Sequence, residues 1–261
     1  KMLAVVALMV AMLVIGCGQA AKEPAKAAAP SVADKIKAAG FEMVKIDEVK
    51  MLVGNGVYSK QRGTLVDARP ARVSDKGRIP TSFNLPDTKF DEYFPAFEKL
   101  GLAKDDYIVT YCGGVKCGKS LIVAKALKAK GYTNIKIFLD GQPVWNKAGN
   151  YSEIDISVAK KNFDKGGFVF IDARPERVFK KGTIAGSINV PDTKFDEYKD
   201  QLPADKAAAV VAFCGGFKCE KSHIVADKML AMGYTNVVVY AGGVPEWKKT
   251  GYPMAPGVVN K

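Results

Sequence analysis

The hydrophobic pattern of the chain alternates between short apolar runs and longer amphipathic ones, and it does so twice. In the second half, Phe168-Val169-Phe170-Ile171 reads as a buried strand. Gly186-Ser187-Ile188-Asn189-Val190 leads into another short strand that Pro191 stops. The stretch from Phe195 to Leu202 predicts a short helix, and Val210-Val211-Ala212-Phe213 a further strand. Ser222 to Met232 has helical spacing and is closed by Gly233 at a C-cap position. Val237-Val238-Val239-Tyr240 is the next strand, followed by Gly242-Gly243 and a short helix around Trp247. Strands rich in Val and Ile without polar alternation are buried on both faces. Interleaved with helices, they predict an α/β fold with a mainly parallel sheet and helices on both faces. Ligands of such sheets bind beyond the carboxyl ends of the strands.

The first half repeats this plan. Asp67-Ala68-Arg69-Pro70 recurs as Asp172-Ala173-Arg174-Pro175, 105 positions on, and the octapeptide from Pro86 to Tyr93 recurs unchanged from Pro191 to Tyr198. Gly131-Tyr132-Thr133-Asn134 recurs as Gly233-Tyr234-Thr235-Asn236, 102 positions on, and Trp145 matches Trp247. The boundary falls near Tyr151, giving one domain over 34–151 and a second over 152–261.

The N-terminus follows a different pattern. Met2 to Ile15 are almost wholly apolar after Lys1, too short to span a bilayer comfortably and of the right length for a signal-peptide core. The run ends in Leu13-Val14-Ile15-Gly16-Cys17, which resembles a bacterial lipobox. Residues 1–17 are therefore expected to be a lipoprotein signal peptide, with Cys17 lipidated. The other reading is an uncleaved signal anchor. Residues 18–33, mostly Ala, Lys, Glu and Pro up to Pro30, are expected to be a tether without a core. The expected location is the cell envelope, lipid-anchored on the periplasmic side or at the outer membrane.

Composition changes the picture only at the margins. The chain has 261 residues, 48% hydrophobic and 25% charged, enough for two cores. Its net charge is +12, and residues 151–261, with 16 basic and 13 acidic side chains, account for little of it. A basic exterior attracts small anions, acidic partners or anionic lipid. No dense basic run interleaved with aromatics points to nucleic acid, and none is expected as a partner.

Cysteine is where the chemistry concentrates. Four of the five cysteines form one motif written twice, Cys112-Gly113-Gly114-Val115-Lys116-Cys117-Gly118-Lys119-Ser120 and Cys214-Gly215-Gly216-Phe217-Lys218-Cys219-Glu220-Lys221-Ser222. Each follows a strand-like run and precedes a helix-like one. Backbone N–H groups and the positive end of a helix dipole favour thiolate over thiol in such a loop.

These residues resemble the rhodanese family, here as a tandem pair. Gly182-Thr183-Ile184-Ala185-Gly186-Ser187-Ile188-Asn189-Val190-Pro191 is similar to the family's Gly-His-Ile-x-Gly-Ala-x-Asn-x-Pro element, and the first copy runs Gly77-Arg78-Ile79-Pro80-Thr81-Ser82-Phe83-Asn84-Leu85-Pro86. The Asp-Ala-Arg-Pro element, the cysteine loop and the closing glycines and Trp complete the set. The resemblance implies that Cys112 and Cys214 attack the outer sulfur of a donor such as thiosulfate, hold it as a persulfide and pass it to a thiophilic acceptor. It implies no metal and no organic cofactor. It makes Gly113, Gly114, Val115, Lys116, Lys119, Gly215, Gly216, Phe217, Lys218 and Lys221 the substrate-binding residues. The expected partners are a small anionic sulfur donor and a protein thiol acceptor or envelope partner, with the membrane reached through the lipid anchor.

Two departures from the family stand out. The common loop has serine six positions after the cysteine and arginine before it, whereas Ser120 and Ser222 lie eight positions after and follow Lys119 and Lys221. Each loop also has a further cysteine, Cys117 or Cys219, which either resolves a persulfide or is a small buried residue at the helix start. Two other functions remain open, a dithiol/disulfide redox protein and a non-catalytic binding module of an envelope assembly. Phosphatase chemistry is disfavoured, because the oxyanion-clamping arginine it needs would stand at Gly118 and Glu220. Asp67, Arg69, Asp172 and Arg174 are assigned to the loop framework, Trp145 and Trp247 to packing, and His223 to surface or packing rather than catalysis. Both copies keep the cysteine, and the second, whose flanking motifs depart less, is the favoured site.

Overall fold

A computed structural model describes residues 29–259. The signal-peptide and lipidation readings for 1–17, including Cys17, and most of the tether lie outside the described residues. Helix α1 (Val32–Ala38) begins inside the segment read as a tether. Ser31 caps it, accepting from the Asp34 N–H while the Asp34 side chain accepts from the Ser31 N–H.

The first domain is built on a five-stranded sheet of β1 (Glu42–Met43), β2 (Thr64–Asp67), β3 (Phe83–Asn84), β4 (Ile108–Tyr111) and β5 (Ile135–Phe138) in the order β1-β5-β4-β2-β3. Every pairing in it is parallel, with β4 between β2 and β5. The second domain repeats the plan with β6 (Ser152–Glu153), β7 (Phe168–Asp172), β8 (Thr183–Ile184), β9 (Ile188–Asn189), β10 (Ala209–Phe213), β11 (Val237–Tyr240) and β12 (Met254–Ala255). Its main sheet has the order β6-β11-β10-β7-β9, all parallel, and β12 pairs antiparallel with β8 apart from it.

Both faces of each sheet are covered, and β4 shows why its run is continuously apolar. Ile108 packs into one core with Val66, Leu85, Phe97 and Leu127. Its neighbour Val109 points to the opposite core with Leu65, Tyr111, Phe138 and Trp145. In β10, Val210 and Ala212 face Ile171 and Val225, while Val211 and Phe213 face Phe170 and Trp247. Each such fully buried side chain contributes about 1.5–3 kcal/mol. The covering helices are α2 (Ile46–Val53), α3 (Ala71–Ser74), α4 (Phe90–Glu98), α5 (Lys119–Ala129) and α6 (Gly141–Lys147) in the first domain, and α7 (Ile156–Lys165), α8 (Glu176–Phe179), α9 (Phe195–Tyr198), α10 (Lys221–Ala231) and α11 (Gly243–Lys249) in the second.

The domains touch through backbone and side chains. Arg78 and Glu153 exchange two backbone hydrogen bonds of 2.9 and 3.0 Å, and Asp155 donates its N–H to the Asp75 carbonyl. His223 packs against Gly56, and its Nδ1 lies 3.2 Å from the Tyr151 hydroxyl.

Candidate active site

The central strands β4 and β10 deliver Cys112 and Cys214 to the sheet's carboxyl edge, where the loop turns back into α5 and α10. Gly114 and Gly216 take φ of 105° and 104°, backbone that side-chain-bearing residues rarely adopt. Closing each loop, the Cys117 N–H donates to the Gly114 carbonyl and the Cys219 N–H to the Gly216 carbonyl, both at 2.8 Å. The segment after β5 or β11 presses on the loop from the other side. The Gln142 N–H donates to the Cys112 carbonyl and the Val244 N–H to the Cys214 carbonyl, each at 3.0 Å. A Cβ at Gly243 would sit 2.2 Å from the Cys214 carbonyl oxygen, and one at Gly141 would sit 2.3 Å from that of Cys112. These glycines are there because nothing larger fits.

The two loops hold their sulfurs alike. Cys112 and Cys214 are fully buried. The Cys112 Sγ is 3.1 Å from the Cys117 carbonyl oxygen and 3.4 Å from the Ser120 hydroxyl. The Cys214 Sγ is 3.1 Å from the Cys219 carbonyl oxygen and 3.1 Å from the Ser222 hydroxyl. Cys117 and Cys219 are half-buried. In the second loop the side chain of Cys219 folds back over Gly215, and its sulfur takes hydrogen bonds from the Gly215 and Lys221 N–H groups. The hydrogen bond to the Cys219 sulfur, and then burial, hold the Cys214 thiol well above its ordinary range. The same contact from Cys214, with the two N–H donors and the nearby Lys221 ammonium, brings Cys219 down to about 6. In the first loop, burial and then the hydrogen bond to Cys117 raise Cys112.

The framework around the loops is ionic. In the first domain the Arg69 Nε and Nη2 fork onto Asp67 at 2.9 and 2.5 Å, and Nη2 also reaches the Gly77 carbonyl. Arg174 forks onto Asp172 at 2.9 and 2.6 Å and reaches the Gly182 carbonyl. Asn84 and Asn189 then bridge from their amides to the carbonyls at either end of these pairs. These contacts fix the turns after β2 and β7 beside the cysteine loop.

Placement divides the expected binding residues into two groups. Gly113, Val115, Lys116, Gly215, Phe217 and Lys218 are exposed at the loop rim, where a solute arriving from water meets them. Lys119 and Lys221 do not stand free for an anion. The Lys119 Nζ lies 2.8 Å from the Asp87 carboxylate, and the Lys221 Nζ 3.0 Å from that of Asp192. They brace the start of α5 and α10 against the Pro-Asp-Thr-Lys segment. Asp87 and Asp192 are the residues that sequence reasoning missed, and the unchanged octapeptide around each was the available signal.

His223 is 2% exposed, and burial lowers it to about 4. It packs between the domains rather than standing at the surface. Trp145 and Trp247 are buried, with indole N–H groups donating to the Tyr151 and Pro253 carbonyls. The rim of the second loop adjoins the other domain. Phe217 and Ala241 line a cleft of about 140 Å³ with Tyr58, Arg78 and Glu153, and the Asn55 amide donates to Glu220 at 2.5 Å.

Parts of this chain are similar to known proteins. Part of the chain is similar to the tRNA uridine(34) hydroxylase of Xylella fastidiosa (strain M23), 37% identical over 84 residues, and to that of Bdellovibrio bacteriovorus, 35% identical over 91 residues. The first match covers 29% of this chain and 30% of the relative, and the second 33% and 25%. The chain therefore spans about a third or less of the length of these curated relatives. Among solved structures, thiosulfate sulfurtransferase from Pseudomonas aeruginosa is 18% identical with a TM-score of 0.36, covering 84% of this chain and 44% of that one. YnjE is 19% identical with a TM-score of 0.41, covering 77% and 57%. The sequence pattern of the rhodanese-like domain matches residues 46–148 and again residues 155–250, each match enclosing four of the five strands of one main sheet and one cysteine loop, and the chain belongs to the rhodanese-like domain family as a tandem pair.

Proposed function

We propose that this protein is a sulfurtransferase of the cell envelope that moves sulfane sulfur from a small anionic donor such as thiosulfate to a thiophilic acceptor through a persulfide held in the cysteine loop. The observation that carries the reading is the loop itself, present in both domains. Each places a sulfur at the carboxyl end of the central strand, with a second sulfur five positions on, just before the N-terminus of the following helix. Family membership supports sulfur-transfer-type chemistry. A loop thiolate attacks the outer sulfur of thiosulfate and sulfite departs with the bonding electrons. An acceptor such as cyanide or a thiol then attacks the persulfide's outer sulfur and restores the thiolate. Lys116 and Lys218 at the rims attract the anion, and the excess positive charge of the chain adds long-range steering.

Envelope location is part of the proposal and rests on Cys17 and the apolar run before it. Finding the mature protein with an acylated Cys17 at its N-terminus supports it, and an unmodified Met-led N-terminus refutes it. The sulfurtransfer reading is tested by thiocyanate formation from thiosulfate and cyanide. The reduced protein turns over, and the variant with serine at Cys112, Cys117, Cys214 and Cys219 does not. Equal rates from both refute the loop as the site. A dithiol/disulfide redox role is the second reading, favoured by two free cysteines in one loop, with the Cys214 Sγ 3.1 Å from the Cys219 carbonyl oxygen.

A further inference from the structure

The duplication lets the two loops be compared residue by residue, and their surroundings differ in charge. Residues 107–139, which hold the first loop and α5, contain six lysines and no acidic residue. The corresponding residues 209–241 contain three lysines together with Glu220 and Asp227. Lys119 is paired with Asp87 and Lys136 with Glu42, and Lys130 lies 3.6 Å from Asp91. Lys116 and Lys125 are exposed and have no ion pair among the described residues. Two exposed apolar side chains accompany them. Val115 is 56% exposed beside Lys116 at the loop rim. Ile122 is 52% exposed near the start of α5, three positions before Lys125 and on the same side of the helix.

In the second domain the matching positions have neighbours. Glu220 accepts from Asn55, Asp227 lines a cleft with Lys50, Val53 and Tyr151, and Ile224 is half-buried. The first-domain positions that correspond to them are open. A Cβ at Gly118 would meet no atom within 4 Å, and Lys125 and Ile122 stand in solvent. The face that the first domain approaches on α10 is therefore uncovered on α5, where it is basic and partly apolar.

We propose that the first loop hands its sulfur to a protein, and that Val115, Lys116, Ile122 and Lys125 form the surface on which that protein docks. The partner is one whose reacting cysteine sits in an acidic surface with an apolar side chain beside it. This inference rests on the persulfide reading above and names the acceptor class of the first loop. Complementary charge steers the encounter and fixes the orientation, and the apolar pair gives the contact a dry centre. Cys112 is buried behind the rim, so an occupant of this surface takes the sulfur only if it brings a thiol of its own, which a lipid surface lacks. In the transfer step the partner's thiolate attacks the outer sulfur of the Cys112 persulfide. The bond between that sulfur and the Cys112 Sγ breaks, and Cys112 leaves with the electron pair as a thiolate. The persulfide passes to the partner with no net oxidation.

The test uses the full chain with Cys214→Ser and Cys219→Ser, so that only the first loop loads. The protein is reduced, freed of reductant, loaded with thiosulfate and mixed with a peptide of one cysteine, two leucines and four glutamates, or with the same peptide carrying lysines for glutamates. Persulfide appearing on the peptide is followed by mass. Each rate is divided by the rate of the same peptide on the chain that also carries Ile122→Ser and Lys125→Asp, which removes the peptide's own reactivity. The quotient should be about tenfold or more for the acidic peptide and no greater than one for the basic peptide. Transfer to the acidic peptide from the unsubstituted surface should also slow as salt is raised. Thiocyanate formation with cyanide should stay within about twofold on adding Ile122→Ser and Lys125→Asp. Equal quotients for the two peptides, or transfer to the acidic peptide that salt does not slow, overturn the proposal. Thiocyanate turnover separates the two readings. Turnover with equal quotients refutes the docking surface alone, whereas no loading and no turnover refute sulfurtransfer at this loop and the proposal with it. Sedimentation with phosphatidylglycerol vesicles supplies the remaining arm. Vesicle binding that is lost on Ile122→Ser and Lys125→Asp, together with equal peptide quotients, assigns the surface to the membrane instead.

Discussion

Replacing Arg174 by Met tests the ionic framework directly. The Asp172 side chain is fully buried and Arg174 is 10% exposed, so the pair sits in a region that water does not reach. Arg174 gives Asp172 three side-chain contacts of 2.6–3.1 Å, and the carboxylate keeps only the Arg174 N–H at 2.9 Å and the Thr183 hydroxyl at 2.7 Å once the guanidinium is gone. Breaking a buried pair on one side costs about 3–5 kcal/mol, since the remaining charge stays buried. A domain of this size has about 5–15 kcal/mol in total, so the second domain should become marginal while the first is unaffected. The two tryptophans make the assay specific. Trp145 lies in the first domain and Trp247 in the second, so urea unfolding of a Trp145→Phe protein followed by fluorescence reports the second alone. The midpoint should fall by the urea equivalent of that loss. Adding Asp172→Asn to Arg174→Met should recover part of it, because the uncompensated charge is removed, and the cycle should show clear non-additivity. A loss under about 1 kcal/mol for Arg174→Met alone would refute the picture of a charge deprived of its partner in a dry site.

Three further outcomes are expected. Gly243→Ala places a methyl 2.2 Å from the Cys214 carbonyl at a φ of 54°, so sulfur loading in the second loop should fall at least about tenfold while the first loop keeps its activity, as measured by peptide-resolved mass. Glu153 is buried and pushed up to about 7, so the folded protein holds its proton where the unfolded chain has lost it. Stability should therefore fall as pH rises from about 4.5 through 7, by about 3 kcal/mol in total, and Glu153→Gln should flatten that limb in urea titrations. His223 has the opposite sign. Burial depresses it to about 4, so the stability it contributes is present above its ordinary 6.5 and is lost as pH falls toward 4, a limb that His223→Gln should remove in the same titrations.

Much of this fold is legible in the sequence because its strands are buried on both faces. Ile108 to Tyr111 and Val210 to Phe213 carry no polar interruption, and Gly233 follows the end of α10 at a φ of 88°, as a helix terminus wants. The pairing of β8 with β12 escapes such reading, since two-residue strands have no periodicity to detect. The partners of Lys119 and Lys221 escape it for another reason. Asp87 and Asp192 lie 32 and 29 positions away, and nothing local shows that a lysine pairs with a distant carboxylate rather than pointing into solvent. The cysteine loops were legible as loops. Which sulfur of each pair is buried was not, because it depends on how the loop brings the Cys117 and Cys219 carbonyls onto the Cys112 and Cys214 sulfurs.

The two loops differ where the second one meets the first domain, and this separates chemistry from docking. Between Cys112 and Ser120, and between Cys214 and Ser222, the shared residues are the two cysteines, the two glycines, the two lysines and the serine. Val115 becomes Phe217, Gly118 becomes Glu220, and just beyond the loop Leu121 becomes His223. Phe217 lines the interdomain cleft, Glu220 accepts from Asn55, and His223 packs on Gly56 beside Tyr151. In the first copy Leu121 lies in its own domain's core. Each change thus answers to a neighbour in the first domain. Glu220→Gly together with Phe217→Val should therefore leave sulfur loading within about twofold of the parent, while amide exchange at residues 54–58 rises as the contact from Asn55 is lost. His223 is kept in this variant so that no cavity opens beneath Tyr151. Loading abolished with exchange at 54–58 unchanged would show that the rim of the second loop serves the chemistry rather than the junction.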